Sequence, residues 1–453
     1  MPNDFSGFNA EVWAQEALFT FEEEIGVSQQ FNRDFDTDFA EKGEIVRARK
    51  LGTFVGDRLE ENTDLNIQDA TSVEQLIKLN QHITVAFEVT DRDLRRSFRD
   101  LREDFIVPAV RGVIESIDII AIGEQYQTYK NQAGNLNAAV DYPATVALSK
   151  VMTTNLVPRA RRALWVGPSG EADLLLTDKL TEARMTGDGS PILNGQIGRA
   201  SGFDIGMSQM LTERGAGHAI AVGEINNGDG YPAGTTVMTI DGSPGDFGNG
   251  IFVSIDGQVH RTVSHVGGAT PTSLTIEAPG LHAAVIDDAD IIYMTFAEID
   301  NVGGYLIGHS DWIVIDGAAV DSLAKFPQVG EGIAFELESE VYGVFASDFD
   351  NLKIKLNRPL DAAISDGDDV QIFPAGAYNF AFRPGMATMV VKAMPPPPSG
   401  SGVLSAIASN NGWAMRTMLS YDRKRFKYTY SLDCLVGVKT TDAAQGALLL
   451  GVL

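Results

Sequence analysis

The chain has 453 residues, a formal net charge of −26 and a single cysteine, Cys434. One thiol excludes an intrachain disulfide and a cysteine-cluster metal site, and a reducing compartment fits it best. No apolar run approaches the ~20 residues of a membrane span, and the opening residues carry neither the basic nor the apolar part of a secretory signal.

Length alone predicts two to four domains. Ala14, Leu18, Phe21 and Ile25 recur at helical spacing, so residues 11–25 predict an amphipathic helix that packs on a neighbour. Residues 44–90 read as a long hairpin: two β-like stretches around a polar, acidic middle, with a short helix expected near 73–79. Its second arm is the alternation of Ile83, Val85, Phe87 and Val89. Thr90 is a good N-cap, and Leu94, Phe98, Leu101, Phe105, Val110, Val113, Ile117 and Ile120 then keep helical spacing to about Tyr129. About 38 residues at ~1.5 Å each make a spine of roughly 57 Å. Pro108 should bend it or remove one backbone bond.

Residues 144–156 predict another helix and Ala163–Val166 a strand, which Gly167-Pro168-Ser169-Gly170 turns into a helix from Glu171. Residues 198–205 are a turn into a strand. A duplication follows. Residues 236–294 and 312–373 read as two copies of one β-rich module. Ile240-Asp241-Gly242 answers to Ile315-Asp316-Gly317, Gly250–Val253 to Gly332–Phe335, Leu274–Ile276 to Leu352–Ile354, and Leu281–Val285 to Leu360–Ile364. A pair of modules looped out of a host domain predicts surface decoration. Residues 215–375 hold 24 acidic against 5 basic residues, a surface that nucleic acid avoids. The chain returns through 377–386, crosses a Pro395–Pro398 and Gly/Ser loop, and ends in two strands. The longer, 426–438, alternates Phe426, Tyr428, Tyr430, Leu432, Cys434, Val436 and Val438 over about 43 Å. The last is 447–452.

Chemistry is hard to find. Gly167–Gly170 lacks the spacing and the lysine of a phosphate loop. The acidic turns Asp287-Asp288-Ala289-Asp290 and Asp366-Gly367-Asp368-Asp369 lack the alternating ligands and closing glutamate of a calcium loop, so loose calcium binding is the weaker reading. Six histidines are scattered, no GxSxG elbow exists, and Cys434 reads as an inert core thiol. No catalytic, cofactor or metal set is assigned. Arg92, Arg95, Arg96, Arg99 and Arg102 form a dense basic patch, either paired with neighbouring acids or turned to a genome or a second subunit.

This order of elements resembles a tailed-bacteriophage major capsid protein of the Hong Kong 97 fold. The spine from Thr90, the Gly198–Ile205 turn (similar to that family's "GR-x-x-GF-D" segment), Tyr378–Phe382 and the two closing strands carry the resemblance. It implies an α+β fold with an N-terminal arm at 1–45, an extended hairpin at 46–89 and a spine helix of a peripheral domain at 90–139. An axial domain would occupy 140–214 and 376–420, with inserted β-barrel or sandwich-like modules at 215–300 and 301–375 and the peripheral strands at 421–453. Some coat proteins of the family carry one such insertion; this chain has two. The resemblance implies hexamers and pentamers of this chain around double-stranded DNA contacted non-specifically, a portal, and a separate scaffolding protein, since no helical pro-segment precedes the arm. It implies no membrane and no cofactor, and leaves room for a decoration or host-surface partner on the acidic insertion. Trp13, Leu18, Phe21, Ile83, Val85, Phe87, Arg95, Arg96 and Arg99 are the expected contacts between subunits. A glycan-binding surface protein is the alternative, and a hydrolase with inserted β domains a third.

Overall fold

A computed structural model describes residues 10–33, 45–51, 56, 58, 72–90, 102–181, 197–214, 220–241, 250–266 and 272–453, except positions 25, 294, 318–319, 321, 324, 337, 339, 399–401 and 411.

In chain order, helix α1 (Ala10–Glu24) leads into a hairpin of β1 (Ile45–Leu51) and β2 (Ser72–Lys78), antiparallel with Ile45 opposite Lys78 and Leu51 opposite Ser72. β2 stands where a short helix was expected. The alternating run Ile83–Val89 is not the second hairpin arm. It lies in β3 (Gln81–Thr90), which pairs residue by residue with the long strand near the C-terminus, Thr90 opposite Lys427 and Gln81 opposite Val436.

Within the described residues the spine is less regular than its sequence pattern. A π-helical turn (Arg102–Ile106) precedes helix α2 (Val107–Ile122), and a 3₁₀ stretch (Gly123–Thr128) closes it. Pro108 does not kink a continuous α-helix. It stands in the first α turn, where its missing N–H costs little, and the irregular turn comes before it. Residues 91–101, with Arg95, Arg96 and Arg99, lie outside the described residues.

Two sheets flank this helix. One has seven strands: β4 (Gln132–Gly134), β5 (Ala163–Val166), β6 (Arg199–Ala200), β7 (Phe203–Met207), β8 (Glu213–Arg214), and two strands defined below. Helices α3 (Tyr142–Thr154), α4 (Pro168–Leu175) and α5 (Asp178–Thr181) belong to its segment of the chain. Asp141 caps α3, its carboxylate accepting from Ala144 N at 2.8 Å.

Then come two closed barrels of six strands each. The first is built from β9 (Ile220–Ile225), β10 (Val237–Asp241), β11 (Phe252–Ile255), β12 (Gln258–Val266), β13 (Ser273–Ile276) and β14 (Asp290–Tyr293). The second uses β15 (Thr295–Ile299), β16 (Ile313–Asp316), β17 (Gly332–Phe335), β18 (Val341–Asp348), β19 (Lys353–Leu356) and β20 (Asp369–Ile372). Strand order is the same in both, and so is a bulge, between Thr262 and Ser264 and between Val344 and Ala346. β15 opens the second barrel, so the boundary falls near 294 rather than at 300. Two of the expected correspondences slip by two residues. Gly250 N donates to Thr262 O as Gly330 N does to Val344 O, which sets Gly250 against Gly330, not Gly332. The β12–β13 and β18–β19 registers likewise set Leu274 against Ile354.

The chain returns through β21 (Gly376–Phe382), β22 (Ala387–Lys392), β23 (Val403–Asn410), β24 (Trp413–Asp422), β25 (Lys427–Thr440) and β26 (Gly446–Gly451). β21 sits inside the seven-stranded sheet between β5 and β26, and all seven of its residues are buried. The final strand therefore leaves its neighbour β25 and joins the other sheet. β22, β25, β24 and β23 lie in that order, with β3 also on β25, and their inner face packs on α1 and α2. Phe426 is not in the strand: it has φ 53 in the turn before it.

Candidate assembly surface

Contact with another subunit needs side chains that the subunit itself leaves in water, and three of the expected contact residues fail that test. Leu18 and Phe21 on α1 are buried against β24 and α2, Phe21 with its ring centroid 4.9 Å from that of Trp413. Ile83 is buried in the same core, and Phe87 stacks between Phe105 at 5.6 Å and Tyr430 at 5.4 Å. Val85 packs on that core and lies near Gly112 of α2. The helical and alternating stripes were read correctly as apolar faces, but the partner they meet is this chain's own helix and sheet. Trp13 lies in α1, and its side chain is outside the described residues.

Among its described apolar side chains, α1 leaves Phe19 exposed. Beside it runs β23, the edge of its sheet, with Leu404 and Ile407 exposed. Gln15, Phe19, Pro396 and residues 405–410 line an open groove there. An edge strand with an apolar margin is a template for further pairing unless something covers it.

The arm is tied down behind this groove. Asp118, buried in the middle of α2, accepts from Ser28 N at 3.0 Å and from Ser28 Oγ at 2.5 Å. Burial pushes the Asp118 carboxyl above its ordinary range, against those hydrogen bonds. Asn32 then bridges to Thr388 of β22.

The barrels are seated rather than looped out. At the end of the spine, Tyr126, Tyr129 and Leu136 form one buried cluster with Phe252 and Val259 of the first barrel, Val341 and Phe373 of the second barrel's segment, and Tyr378, Leu448 and Leu450 of the sheet. Gln132 and Val259 exchange hydrogen bonds, and Tyr126 Oη donates to Gly330 O at 2.8 Å. Phe252 N donates to the Gln371 side chain at 2.9 Å, joining barrel to barrel. Arg358 is a deeply enclosed charge. It lies 3.2 Å from Glu124 and 2.8 Å from Glu340, and is also bonded to Asp361. Burial works against its charge, but Glu124 and the other anions outweigh that and hold the guanidinium above its ordinary range. Glu124 in turn accepts from Thr440 N at 2.9 Å and Thr440 Oγ1 at 2.7 Å. Sequence reasoning missed this network, because a lone arginine and a lone glutamate 234 positions apart carry no pattern.

The weaker chemical readings have structural explanations. In the Gly167–Gly170 turn, Ser169 N and Oγ both donate to Glu213, and Gly167 N donates to Asn379 Oδ1, so side chains of the chain occupy the donors a phosphate would need. In the acidic turns, Asp287 Oδ1 accepts from Asn227 N and Asp366 Oδ1 from Asn301 N, both within 2.8 Å. These carboxylates close the same turn in each barrel. Among the described residues no group of three His, Cys, Asp or Glu side chains is placed to hold a metal, and no helix is long and apolar enough to cross a membrane. Burial pushes the Cys434 thiol up to about 12, which leaves it un-ionised and unreactive.

No family model matches the chain, and no curated protein matches it. Among solved structures it is similar to one of Mycobacterium phage Che8, at 10% identity and a TM-score of 0.41, over 94% of this chain and 91% of the other. The capsid structure of cyanophage P-SCSP1u matches at 8% identity and a TM-score of 0.41, over 91% and 84%. That of Staphylococcus phage Andhra matches at 9% and 0.38, over 94% and 85%.

Proposed function

We propose that the chain is a structural shell subunit, a major capsid protein of a tailed double-stranded-DNA phage, whose work is to bury surface against copies of itself in the virion. The observation that carries the reading is the layout of the subunit. A helix is sandwiched under a long-stranded sheet, an arm is clamped across it by Asp118, and an edge strand with exposed Phe19, Leu404 and Ile407 is left beside the arm. Function then comes from area and not from a reacting centre.

In this reading the spine with β3 and β22–β25 is the peripheral domain, the seven-stranded sheet the axial domain, and the two barrels its insertion. Hexamers and pentamers close an icosahedral head, with scaffolding protein and portal as assembly partners and DNA against the inner surface. Electron microscopy of the purified chain tests this. Closed shells or capsomer rings are the expected result; a protein that stays monomeric at high concentration, with or without glycan binding, would remove the reading.

A further inference from the structure

The two barrels are copies, so each serves as a control for the other. Their opening turns share one backbone. Asn227 Nδ2 donates to Gly230 O as Asn301 Nδ2 does to Gly304 O, and Thr235 N donates to Pro232 O as His309 N does to Leu306 O. Tyr231 and Tyr305 bridge to Val285 and Ile364 in turn. The side chains differ. Where the first barrel has Gly228, Pro232 and Ala233, the second has Val302, Leu306 and Ile307, which are 94%, 78% and 64% exposed. The turn therefore folds without aliphatic side chains, and three of them together in water mark a surface meant to be covered. Exposed carboxylates flank them: Asp300 and Asp311 along the chain, and Asp366 through its bond to Asn301 N.

A complementary tip lies elsewhere on the subunit. The β24–β25 turn exposes Arg423, Lys424 and Arg425, followed by Phe426, which is 63% exposed. The two tips do not meet within one chain. Lys427 marks one end of β25, while Thr440, bonded to Glu124 beside the second barrel, marks the other. Fourteen residues of strand separate them by about 45 Å.

We propose that the second barrel's turn in one copy receives the Arg423–Phe426 turn of a second copy, aliphatic side chains against Phe426 inside a rim of opposite charges. This rests on the self-assembly proposed above. A contact between unlike tips is heterologous, so it repeats from subunit to subunit and closes a ring when the rotation allows. Barrel one, with its glycine, proline and alanine, takes no part.

Cysteine pairing tests it, because the native Cys434 is buried. Chains carrying Val302→Cys and chains carrying Phe426→Cys are co-assembled under mild oxidation. The mixture is expected to give a disulfide-linked dimer roughly tenfold above either chain alone, as unlike tips require. In parallel, Val302→Gly, Leu306→Pro and Ile307→Ala together install the first barrel's turn. The melting temperature should hold while assembly falls roughly tenfold or more, as expected when an interface loses its anchors. Absence of the mixed dimer, or equal dimer from one chain alone, overturns the inference, as does unchanged assembly of the grafted chain. Particles are scored separately by microscopy, so shells without the mixed dimer leave the proposed function standing.

Discussion

Arg358 of the second barrel lies 3.2 Å from Glu124 at the end of the spine, and their side chains are 3% and 1% exposed. One residue belongs to the insertion and the other to the host, so the ion pair ties the two together. Arg358→Met would leave buried Glu124 with, among the described residues, Thr440 and Asn357 to bond it. Removing one partner of such a pair costs about 3–5 kcal/mol. Denaturant unfolding should show this loss, with the double variant Arg358→Met/Glu124→Leu recovering a large part of it. A loss under 1 kcal/mol in the single variant would mean that the pair is not sealed.

The same pair changes what deletion of 215–375 should do. A decoration looped out of its host could be removed without harm. Here removal uncovers Tyr126, Tyr129, Leu448 and Leu450 together with Glu124. The shortened chain should retain helical circular dichroism but bind a hydrophobic dye and aggregate. A monomeric, dye-silent core would show that the barrels are accessory.

Phe87→Glu is expected to act on folding before it acts on assembly. The ring stacks on both Phe105 and Tyr430, and a carboxylate there has no partner among them. Phe87→Ala should already cost about 2 kcal/mol, below the usual range for a fully buried ring because Phe87 is half-buried. Phe87→Glu should cost more. A variant with unaltered stability but no assembly would put Phe87 back at a subunit boundary.

These cases show where the sequence pattern stops. Alternation in Ile83–Val89 says that one face of a strand is apolar, but not which surface covers it, and β25 is more than 300 positions away. The barrels were legible as a repeat because their closing runs align without a gap, Leu281–Val285 on Leu360–Ile364. Their middle strands were matched two residues out of step. A slip of two keeps every side chain on its own face, so the apolar pattern cannot detect it, and only the hydrogen bonds of Gly250 and Gly330 do. Pro108 was legible as an interruption. Its place in the first α turn was not, because the π-helical turn before it has no sequence signature of its own.

The first barrel should weaken in mild acid. His260 and His282 stack with ring centroids 5.2 Å apart, and burial holds them neutral, His260 down to about 3 and His282 down to about 4. An unfolded chain takes up these protons near pH 6.5. The folded state binds fewer protons below that point, so stability is full above about pH 6.5 and declines as pH falls toward 4. Between pH 7 and 5 the decline should be on the order of 4 kcal/mol for the pair. His260→Phe should flatten the melting temperature over that range; an identical slope would place the acid sensitivity elsewhere.

Two glycines should answer oppositely to alanine. Gly343 of β18 faces the end of the spine so closely that a Cβ would sit 2.5 Å from Gly123 Cα. Backbone cannot step aside as a flexible side chain can, so Gly343→Ala must lever the second barrel away from the helix. Such overpacking costs about 1–3 kcal/mol. Gly112 lies inside α2, where a Cβ would meet only Val85 Cγ2, at an ordinary 3.6 Å. Gly112→Ala removes freedom from the unfolded chain and should stabilise by about 0.5–1 kcal/mol. Thermal melts of the two variants give the comparison directly. Equal and small effects at both positions would mean that the barrel is not pressed against the spine, and the seating of the insertion on the host would then have to be redrawn.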